Sequence, residues 1–471
     1  MLFSSLTFLF VFLPVVLLLH YFPVFESESK EKYKQNFILL LASLLFYAWG
    51  EPVYIVLMLL SIYFNFNIGI DLEKQYGNER KRKAILVFSV IFNLAVLGFF
   101  KYAGFLTDTL NSLFSLELNY TPLPLPVGIS FYTFQAMSYV IDVYRKDAKA
   151  QYNFLPFALY IAMFPQLIAG PIVQYTDIEK QLEERTCDLR KFAIGIIFFI
   201  RGLGKKVIFA NSVGKIFTEI TAGNISSLSS LTAWIGIFAY TLQIYFDFSG
   251  YSDMAIGLGK MFGFDLTVNF NFPYTADSIR DFWKRWHISL SSWFRDYVYI
   301  PLGGNRCKIP RQIFNISVVW LLTGLWHGAN WNFVAWGAYY GILLIFEKFV
   351  FGKVLDKIPS FVRRSLTMIL VMIGWVFFSM ESFADAGQYL LSMFGSAKGF
   401  MDTESKYYLS SNFIPLVIMS LSAFGFFRDM PKPKNKSVRF ASQAVIYTGI
   451  FVMCIICLVS ETYNPFLYFR F

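Results

Sequence analysis

The chain has 471 residues, of which 56% are hydrophobic and only 15% are Asp, Glu, Lys or Arg. Soluble domains carry about 25% charged residues, so this composition excludes an ordinary soluble domain. The 41 Lys and Arg residues exceed the 31 Asp and Glu residues and give a net charge of +10. These basic residues lie in short segments between apolar runs, where they set topology and contact anionic lipid headgroups. Membrane lipids are therefore expected partners and nucleic acid is not.

Apolar stretches recur along the whole chain. About thirteen are present, and ten to twelve are expected to cross fully, because a crossing helix needs roughly 20 mostly apolar residues. They cover residues 2–22, 33–49, 53–70, 85–100, 127–144, 154–172, 192–210, 231–248, 313–325, 331–351, 362–380, 413–427 and 440–458. No internal repeat or linker interrupts them. The sequence predicts an all-α polytopic membrane protein with a single domain over residues 1–471.

Charge in the short loops predicts the orientation of the first helices. The loop 71–83 holds five basic residues, whereas residues 102–125 contain neither Lys nor Arg. Because short cytoplasmic loops are enriched in Lys and Arg, the first loop is expected inside and the second outside, with the N-terminus also outside. The stretch 154–172 contains Pro165, Gly170 and Pro171, which interrupt helices, and charged segments flank it on both sides. It is therefore expected to be a re-entrant hairpin beside a cavity.

Residues 277–300 differ from the spans because charged and apolar residues alternate at helical spacing. The pattern predicts one amphipathic helix, capped by Asp277, at an interface or in the wall of a funnel. His287 lies at the border of its apolar arc, next to Trp283. Spacing alone favours an interfacial anchor for His287 over a functional group.

His327 lies between two apolar spans with Gly324 and Gly328 on either side. An ionisable residue at membrane depth usually faces a cavity and carries function, and histidine exchanges a proton near neutral pH. The glycines are expected to let a substrate approach. The alternative is a structural histidine bonded to a neighbour such as Thr323 or Asn330.

The remaining polar residues offer little other chemistry. His20 is interpreted as interfacial, and Asp247, Asn269 and Asn271 either orient the histidines or, as the favoured interpretation, cap helices and hold loops. With three histidines and four scattered cysteines, no metal site or disulfide framework is expected. No nucleotide loop or nucleophile elbow occurs. Two histidines then support direct acyl transfer by general base catalysis.

Several segments together resemble the membrane-bound O-acyltransferase (MBOAT) family, in particular the bacterial branch of alginate O-acetyltransferase, with D-alanyl teichoic acid transferase more distant. They occur in the family's order over almost the whole chain. They are LPVGISFYTFQ (125–135), FPQLIAGPI (164–172), residues 245–257, residues 269–306 with FWKRWH (282–287) and YIPLGG (299–304), GLWHGANW (324–331) and PFLYFRF (465–471).

The resemblance implies a ring of helices around a thinned centre with a cytoplasmic funnel. It implies that His327 is the catalytic residue and that His287 is a second important one. The tryptophans and polar residues beside them are expected to bind substrate or support the site: Trp283, Trp286, Trp326, Asn330, Asp247 and Asn271.

The expected activity is transfer of acetyl from a cytoplasmic thioester, either acetyl-CoA or an acyl-carrier thioester, toward hydroxyls of an exported polysaccharide. Transfer is direct or passes through a periplasmic partner, and the protein is placed in the bacterial inner membrane. No tightly bound cofactor is expected. The alternatives are D-alanyl or other acyl transfer to a cell-wall polymer, and a transporter with His327 as proton relay. An inactive scaffold is disfavoured because both histidines are present.

Overall fold

The protein is described from a computed structural model that covers residues 1–24, 27–168, 170–395, 398–428, 433–460 and 463–467. Within these ranges all regular structure is helical and no strand occurs. The prediction of an all-α membrane protein is thereby confirmed, while the ring and the central funnel stay predictions. The chain forms two compact units, Met1–Phe199 with Ser252–Thr267 and Ile200–Tyr251 with Val268–Phe471. The single domain over residues 1–471 likewise stays a prediction.

The first unit contains most of the N-terminal helices. Its helices are a π-helical turn Phe8–Phe12, Leu13–Tyr21, Glu28–Ala48, Tyr54–Lys74, Glu79–Phe114, Ile129–Arg145, Phe154–Ala162, Phe164–Leu167, Tyr175–Glu184 and the first part of Leu189–Gly204. Asn65 and Asn93 join two of them through reciprocal amide hydrogen bonds of 3.1 and 2.9 Å. Such side-chain bonds hold helices together where the hydrophobic effect cannot.

The backbone is broken within the predicted re-entrant stretch. One helix ends at Ala162 and the next covers only Phe164–Leu167, with Met163 in a non-helical conformation between them. The Ser43 hydroxyl accepts the Phe164 N–H at 3.0 Å, so protein groups satisfy the interrupted backbone, as membrane depth requires. Pro165 begins the short helix rather than ending the first, because its ring fits the first turn. The interruption is confirmed, and the lining of a cavity by this stretch stays a prediction.

The second unit carries both candidate histidines. Its helices are Asn211–Thr221, Ser230–Met261 up to residue 251, Ile279–Arg285, Ile288–Phe294, Ile309–His327, Trp331–Phe346, Gly352–Leu355, Ser360–Ser379, Phe383–Gly395, Thr403–Ala423 and Lys436–Ser460. Shorter 3-10 turns cover Ile225–Ser227, Pro273–Thr275 and Phe426–Arg428, and π-helical turns cover Lys205–Ala210, Arg295–Tyr299 and Glu347–Phe351. Most of the buried aromatic side chains of this unit pack into one core.

Two glycines bring the helices Ile309–His327 and Trp331–Phe346 unusually close. A Cβ at Gly324 would lie 2.3 Å from the carbonyl oxygen of Phe333, and one at Gly337 would lie 2.3 Å from that of Trp320. The expectation that Gly324 opens space for substrate is wrong, since this position faces the neighbouring helix. The same correction applies to Gly328, where a Cβ would lie 2.2 Å from the Phe333 ring.

Five helices among the described residues are long and apolar enough to cross a membrane. They are Tyr54–Lys74, Glu79–Phe114, Trp331–Phe351, Ser360–Ser379 and Lys436–Ser460. The helix Glu79–Phe114 extends through much of the predicted external loop, so the boundary of that loop at residue 102 is wrong. The helix continues without interruption past residue 100 and ends at Phe114, before Ser115, whose backbone is left-handed. The larger number of crossings, the orientation and the external N-terminus stay predictions.

Candidate active site

A cavity of about 870 Å³ in the second unit is lined by both candidate histidines. Its wall passes from exposed charged side chains, such as Arg280 and Lys284, to the buried Trp283, His287 and His327. Polar and charged residues outnumber apolar and aromatic ones in the lining, and the volume lies within the range of small-molecule sites. The two histidines, 40 positions apart in sequence, therefore meet in one place.

His287 lies at a break between two short helices rather than inside one. The helix Ile279–Arg285 ends before it and the helix Ile288–Phe294 begins after it, while His287 itself has φ 45° and ψ 56°. The prediction of one continuous helix over residues 277–300 is wrong here, because a left-handed residue cannot continue a right-handed helix. The break turns the imidazole out of the predicted helical arc and into the cavity wall.

The predicted cap of this segment is also wrong. Ser278, not Asp277, caps the helix Ile279–Arg285 by accepting the Asp281 N–H at 3.1 Å. Asp277 forms instead a 2.7 Å ion pair with Arg363, which follows far later in the chain. Glu347 completes the cap, since its carboxylate accepts the Ile279 N–H at 2.8 Å.

The environment of His287 keeps its side chain neutral. The residue is 5% exposed, and burial lowers the pKa of His287 to about 4. Its Nδ1 atom is buried, and no atom of another described residue hydrogen-bonds to it. A neutral imidazole with an unused nitrogen is able to bind a substrate group by a hydrogen bond.

The segment 269–271 runs beside the turn that carries His287. The Asn269 carbonyl accepts the Ile288 N–H at 3.0 Å, and the Asn269 side-chain oxygen accepts the Ser289 N–H at 3.0 Å. The backbone N–H of Asn271 donates to the Arg285 carbonyl at 2.9 Å. The predicted support by Asn271 thus involves only its backbone, because its side chain is exposed. Asn269 is buried and makes the side-chain contact instead.

His327 is the last residue of the helix Ile309–His327 and is 8% exposed. Its imidazole packs edge-on against three aromatic rings, with ring centroids 5.0 Å from Trp326, 5.0 Å from Trp336 and 5.1 Å from Phe378. The neighbours expected for a purely structural histidine make other bonds. Thr323 donates to the Val319 carbonyl at 2.7 Å, and Asn330 caps the helix Trp331–Phe346 by accepting the Asn332 N–H at 3.1 Å.

The three predicted tryptophans lie in the same aromatic region. Trp283 lines the large cavity, and Trp286 lines a small inner cavity together with both histidines. Trp326 contacts both imidazoles, with its ring centroid 5.9 Å from that of His287.

Asp247 belongs to a different cluster from the histidines. It pairs at 2.6 Å with Lys206, and both side chains are almost completely buried. The second Asp247 oxygen accepts the Leu467 N–H at 2.9 Å, and Lys206 donates to the Pro465 carbonyl. Asp247 and Lys206 therefore hold residues 465–467 of the resembling motif 465–471, whose residues 468–471 lie outside the described residues.

Sequence reasoning missed several residues around the histidines. Trp336, Trp375 and Phe378 line the inner cavity with His287 and His327. They look like ordinary apolar positions in membrane helices, and only the glycine-mediated approach brings Trp336 to His327. The cation Lys348, which lines the large cavity, lies at the end of a predicted span and gave no signal either.

The chain belongs to the membrane-bound O-acyltransferase (MBOAT) family, which residues 42–384 match. The protein is therefore an O-acyltransferase. Over the whole of both chains it is 38% identical to the Azotobacter vinelandii protein named "Probable alginate O-acetylase". It is 35% identical to the peptidoglycan O-acetyltransferase of Helicobacter pylori, over 84% of this chain and 80% of that protein. It is 29% identical to the teichoic acid D-alanyltransferase of Bacillus subtilis, over 53% of this chain and 66% of that protein.

An acyltransferase of this family uses an acyl donor as co-substrate. Among the described residues, no group of three or more His, Cys, Asp or Glu side chains is placed to hold a metal ion. Two imidazoles lie together in a buried aromatic pocket. The participation of His287 and His327 in the reaction stays a prediction.

Proposed function

We propose that this enzyme takes an acetyl group from a thioester on the cytoplasmic side and passes it toward hydroxyls of an exported polysaccharide. The observation that carries the proposal is that His287 and His327 line one cavity. The relatives named as alginate O-acetylase and peptidoglycan O-acetyltransferase support acetyl as the acyl group and a polysaccharide as the final acceptor. The acceptor hydroxyl belongs either to the polymer or to a periplasmic partner that relays the group.

In the proposed mechanism His327 is the general base. It accepts the proton of the acceptor hydroxyl as that oxygen attacks the thioester carbonyl carbon. A C–O bond forms, the C–S bond breaks, and the proton passes from His327 to the departing thiolate. Neutral His287 donates a hydrogen bond to the oxyanion that develops in between, where a positioned donor contributes about 10²–10³-fold. No covalent enzyme intermediate is required.

Cations on the cavity wall support a phosphate-bearing donor such as acetyl-CoA or a carrier-linked phosphopantetheine. Arg280 and Lys284 are exposed and line the cavity, and Lys348 donates hydrogen bonds to the neutral side chains of Asn305 and Gln312, at 2.5 and 2.7 Å. Guanidinium and ammonium groups bind phosphate through charge-assisted hydrogen bonds.

The remaining charges on the same wall leave this patch positive. Arg295 pairs with Asp296, and Arg363 pairs with Asp277. Glu347 accepts backbone N–H groups at the helix start, and the described residues show no ion pair for it, although its charge interacts with that of Arg280. Arg280, Lys284 and Lys348 are thus the cations on this wall for which the described residues show no carboxylate within ion-pair distance.

The test is turnover by purified protein in vesicles with acetyl-CoA or an acetylated carrier, and with alginate-type or peptidoglycan-type oligosaccharides. General base assistance contributes about 10²–10⁴-fold, so His327→Ala is expected to lower turnover by that factor. His20→Ala is the control, because His20 is also a buried histidine but does not line this cavity. Full acetylation by His327→Ala would refute the mechanism. Release of an acyl group other than acetyl would refute the proposed donor. Solute movement without acyl transfer would favour the transporter.

The proposal also includes the location. The enzyme is placed in the bacterial cytoplasmic membrane, with its donor side inside and its N-terminus outside. Cysteine labelling from each side tests this, since residue 119 is expected to react only from outside and residue 77 only from inside.

A further inference from the structure

His287 has a backbone conformation that its sequence does not favour. Its φ of 45° lies in the left-handed region, which side chains other than glycine rarely adopt. Such a conformation persists only where surrounding bonds determine it. The bonds that do so come from outside the helical segment.

The segment 269–271 supplies those bonds on both sides of His287. After it, Asn269 accepts three hydrogen bonds: Ile288 N–H to its carbonyl at 3.0 Å, and the N–H and hydroxyl of Ser289 to its side-chain oxygen, each at 3.0 Å. Before it, Arg285 accepts the bond from the Asn271 N–H. His287, which lines the cavity, is therefore flanked on both sides by hydrogen bonds to the short segment 269–271.

The Asn269 side chain performs the capping that His287 does not. His287 occupies the N-cap position of the helix Ile288–Phe294 and makes no side-chain cap bond. The first backbone N–H groups of a helix need an acceptor from elsewhere. The amide oxygen of Asn269 serves one of them, and both Asn269 and Ser289 are buried away from water.

We propose that Asn269 is a positioning residue, whose side-chain oxygen fixes the left-handed turn that holds the His287 imidazole in the cavity wall. The inference rests on the proposed function, in which His287 contacts the reacting carbonyl group. Without this acceptor the turn relaxes toward a helical conformation, because the Ser289 N–H and hydroxyl lose their shared partner. The imidazole then leaves its place while the rest of the cavity remains.

The first experiment compares three single variants for kcat and for KM of the acetyl thioester. Asn269→Leu keeps the volume and removes the acceptor, Asn269→Asp keeps an acceptor oxygen, and Val268→Leu is the control at the exposed position next to Asn269. Because small misplacements of catalytic groups cost roughly 10–100-fold, Asn269→Leu is expected to lower kcat by that factor with KM changed less than about threefold. Asn269→Asp restores most of the kcat, and Val268→Leu leaves it unchanged.

The second experiment repeats Asn269→Leu in a His287→Ala background, since residues that act through one another are not additive. The expected result is no further loss. An equal loss in both backgrounds, or wild-type kcat in Asn269→Leu, overturns the positioning role. Wild-type kcat in His287→Ala alone overturns both this role and the proposed role of His287, whereas loss there without loss in Asn269→Leu rejects the positioning alone. If Asn269→Leu does not fold, Ser289→Ala takes its place, with a smaller expected loss of kcat that must also vanish in the His287→Ala background.

Discussion

The close approach of two helices beside His327 allows the effect of a single methyl group to be worked out. A Cβ at Gly324 would lie 2.3 Å from the Phe333 carbonyl oxygen and 3.3 Å from the Gly337 Cα. Non-bonded carbon and oxygen atoms need more than 3 Å, so Gly324→Ala must move the two helices apart by roughly 1 Å. His327 ends one of these helices and Trp336 lies on the other. Because a misplacement of about 1 Å costs on the order of 10²-fold, turnover is expected to fall by that factor.

The assay is acetyl transfer by the purified variant, together with its thermal unfolding in the same detergent. Gly387→Ala is the control. Gly387 lies in the helix Phe383–Gly395, and a Cβ at this position would have no neighbouring atom of the described residues within 4 Å. This control is expected to keep wild-type turnover and to gain about 0.5–1 kcal/mol of stability, as alanine does over glycine in a helix. Wild-type turnover in Gly324→Ala would refute the view that helix spacing positions His327.

Three further results are expected. Burial lowers the pKa of His287 to about 4 from 6.5, so the unfolded chain takes up the proton at a higher pH than the folded protein does. The stability present above pH 6.5 is therefore expected to fall by on the order of 3 kcal/mol as the pH decreases toward 4. Thermal unfolding of wild type and of His287→Gln across this pH range measures the loss, and parallel pH profiles for the two proteins would contradict it. The double variant Arg280→Gln/Lys284→Gln is expected to raise KM for the thioester severalfold with kcat kept, more at low than at high salt because exposed charges are screened; an unchanged KM argues against phosphate binding there. Lys206→Met leaves the Asp247 carboxylate buried without its cation and is expected to lower the free energy of unfolding by about 3–5 kcal/mol. Removing both charges is expected to lower it less, as denaturation assays of the single and double variants would measure. Equal losses in the two variants would show that the charge pairing is unimportant.

The sequence was sufficient for those features that depend on local pattern. Apolar stretches predicted helices, and prolines and glycines predicted the interruption near Met163. The rarity of ionisable residues in apolar surroundings singled out His327, whereas spacing favoured an interfacial anchor for His287 and only the family resemblance implied a role for it. Each of these signals lies within a few residues of the feature it predicts, so no knowledge of packing was needed.

The features that were missed depend on partners far away in the chain. Helical periodicity over residues 277–300 gave no sign of the break at His287, because the bonds that stabilise the break come from Asn269, 20 positions before Ser289. Asp277 is a favourable helix N-cap by residue type, yet its carboxylate forms an ion pair with Arg363 instead. Gly324 was expected to face substrate, since nothing local distinguishes a glycine at a helix contact from one at a cavity. Such choices are made by tertiary structure and not by propensity.

The bonds between Asp247 and the segment near residue 465 have a consequence for the order in which the chain folds. The carboxylate receives a backbone N–H from Leu467, 220 positions later in the sequence. Contacts of such long separation form late, since the intervening chain must be ordered first. During synthesis the buried ion pair of Asp247 and Lys206 therefore cannot complete its hydrogen bonds until residue 467 has left the ribosome. A tag or truncation that disturbs residues 463–467 would affect maturation of the whole unit, and not only the segment it alters.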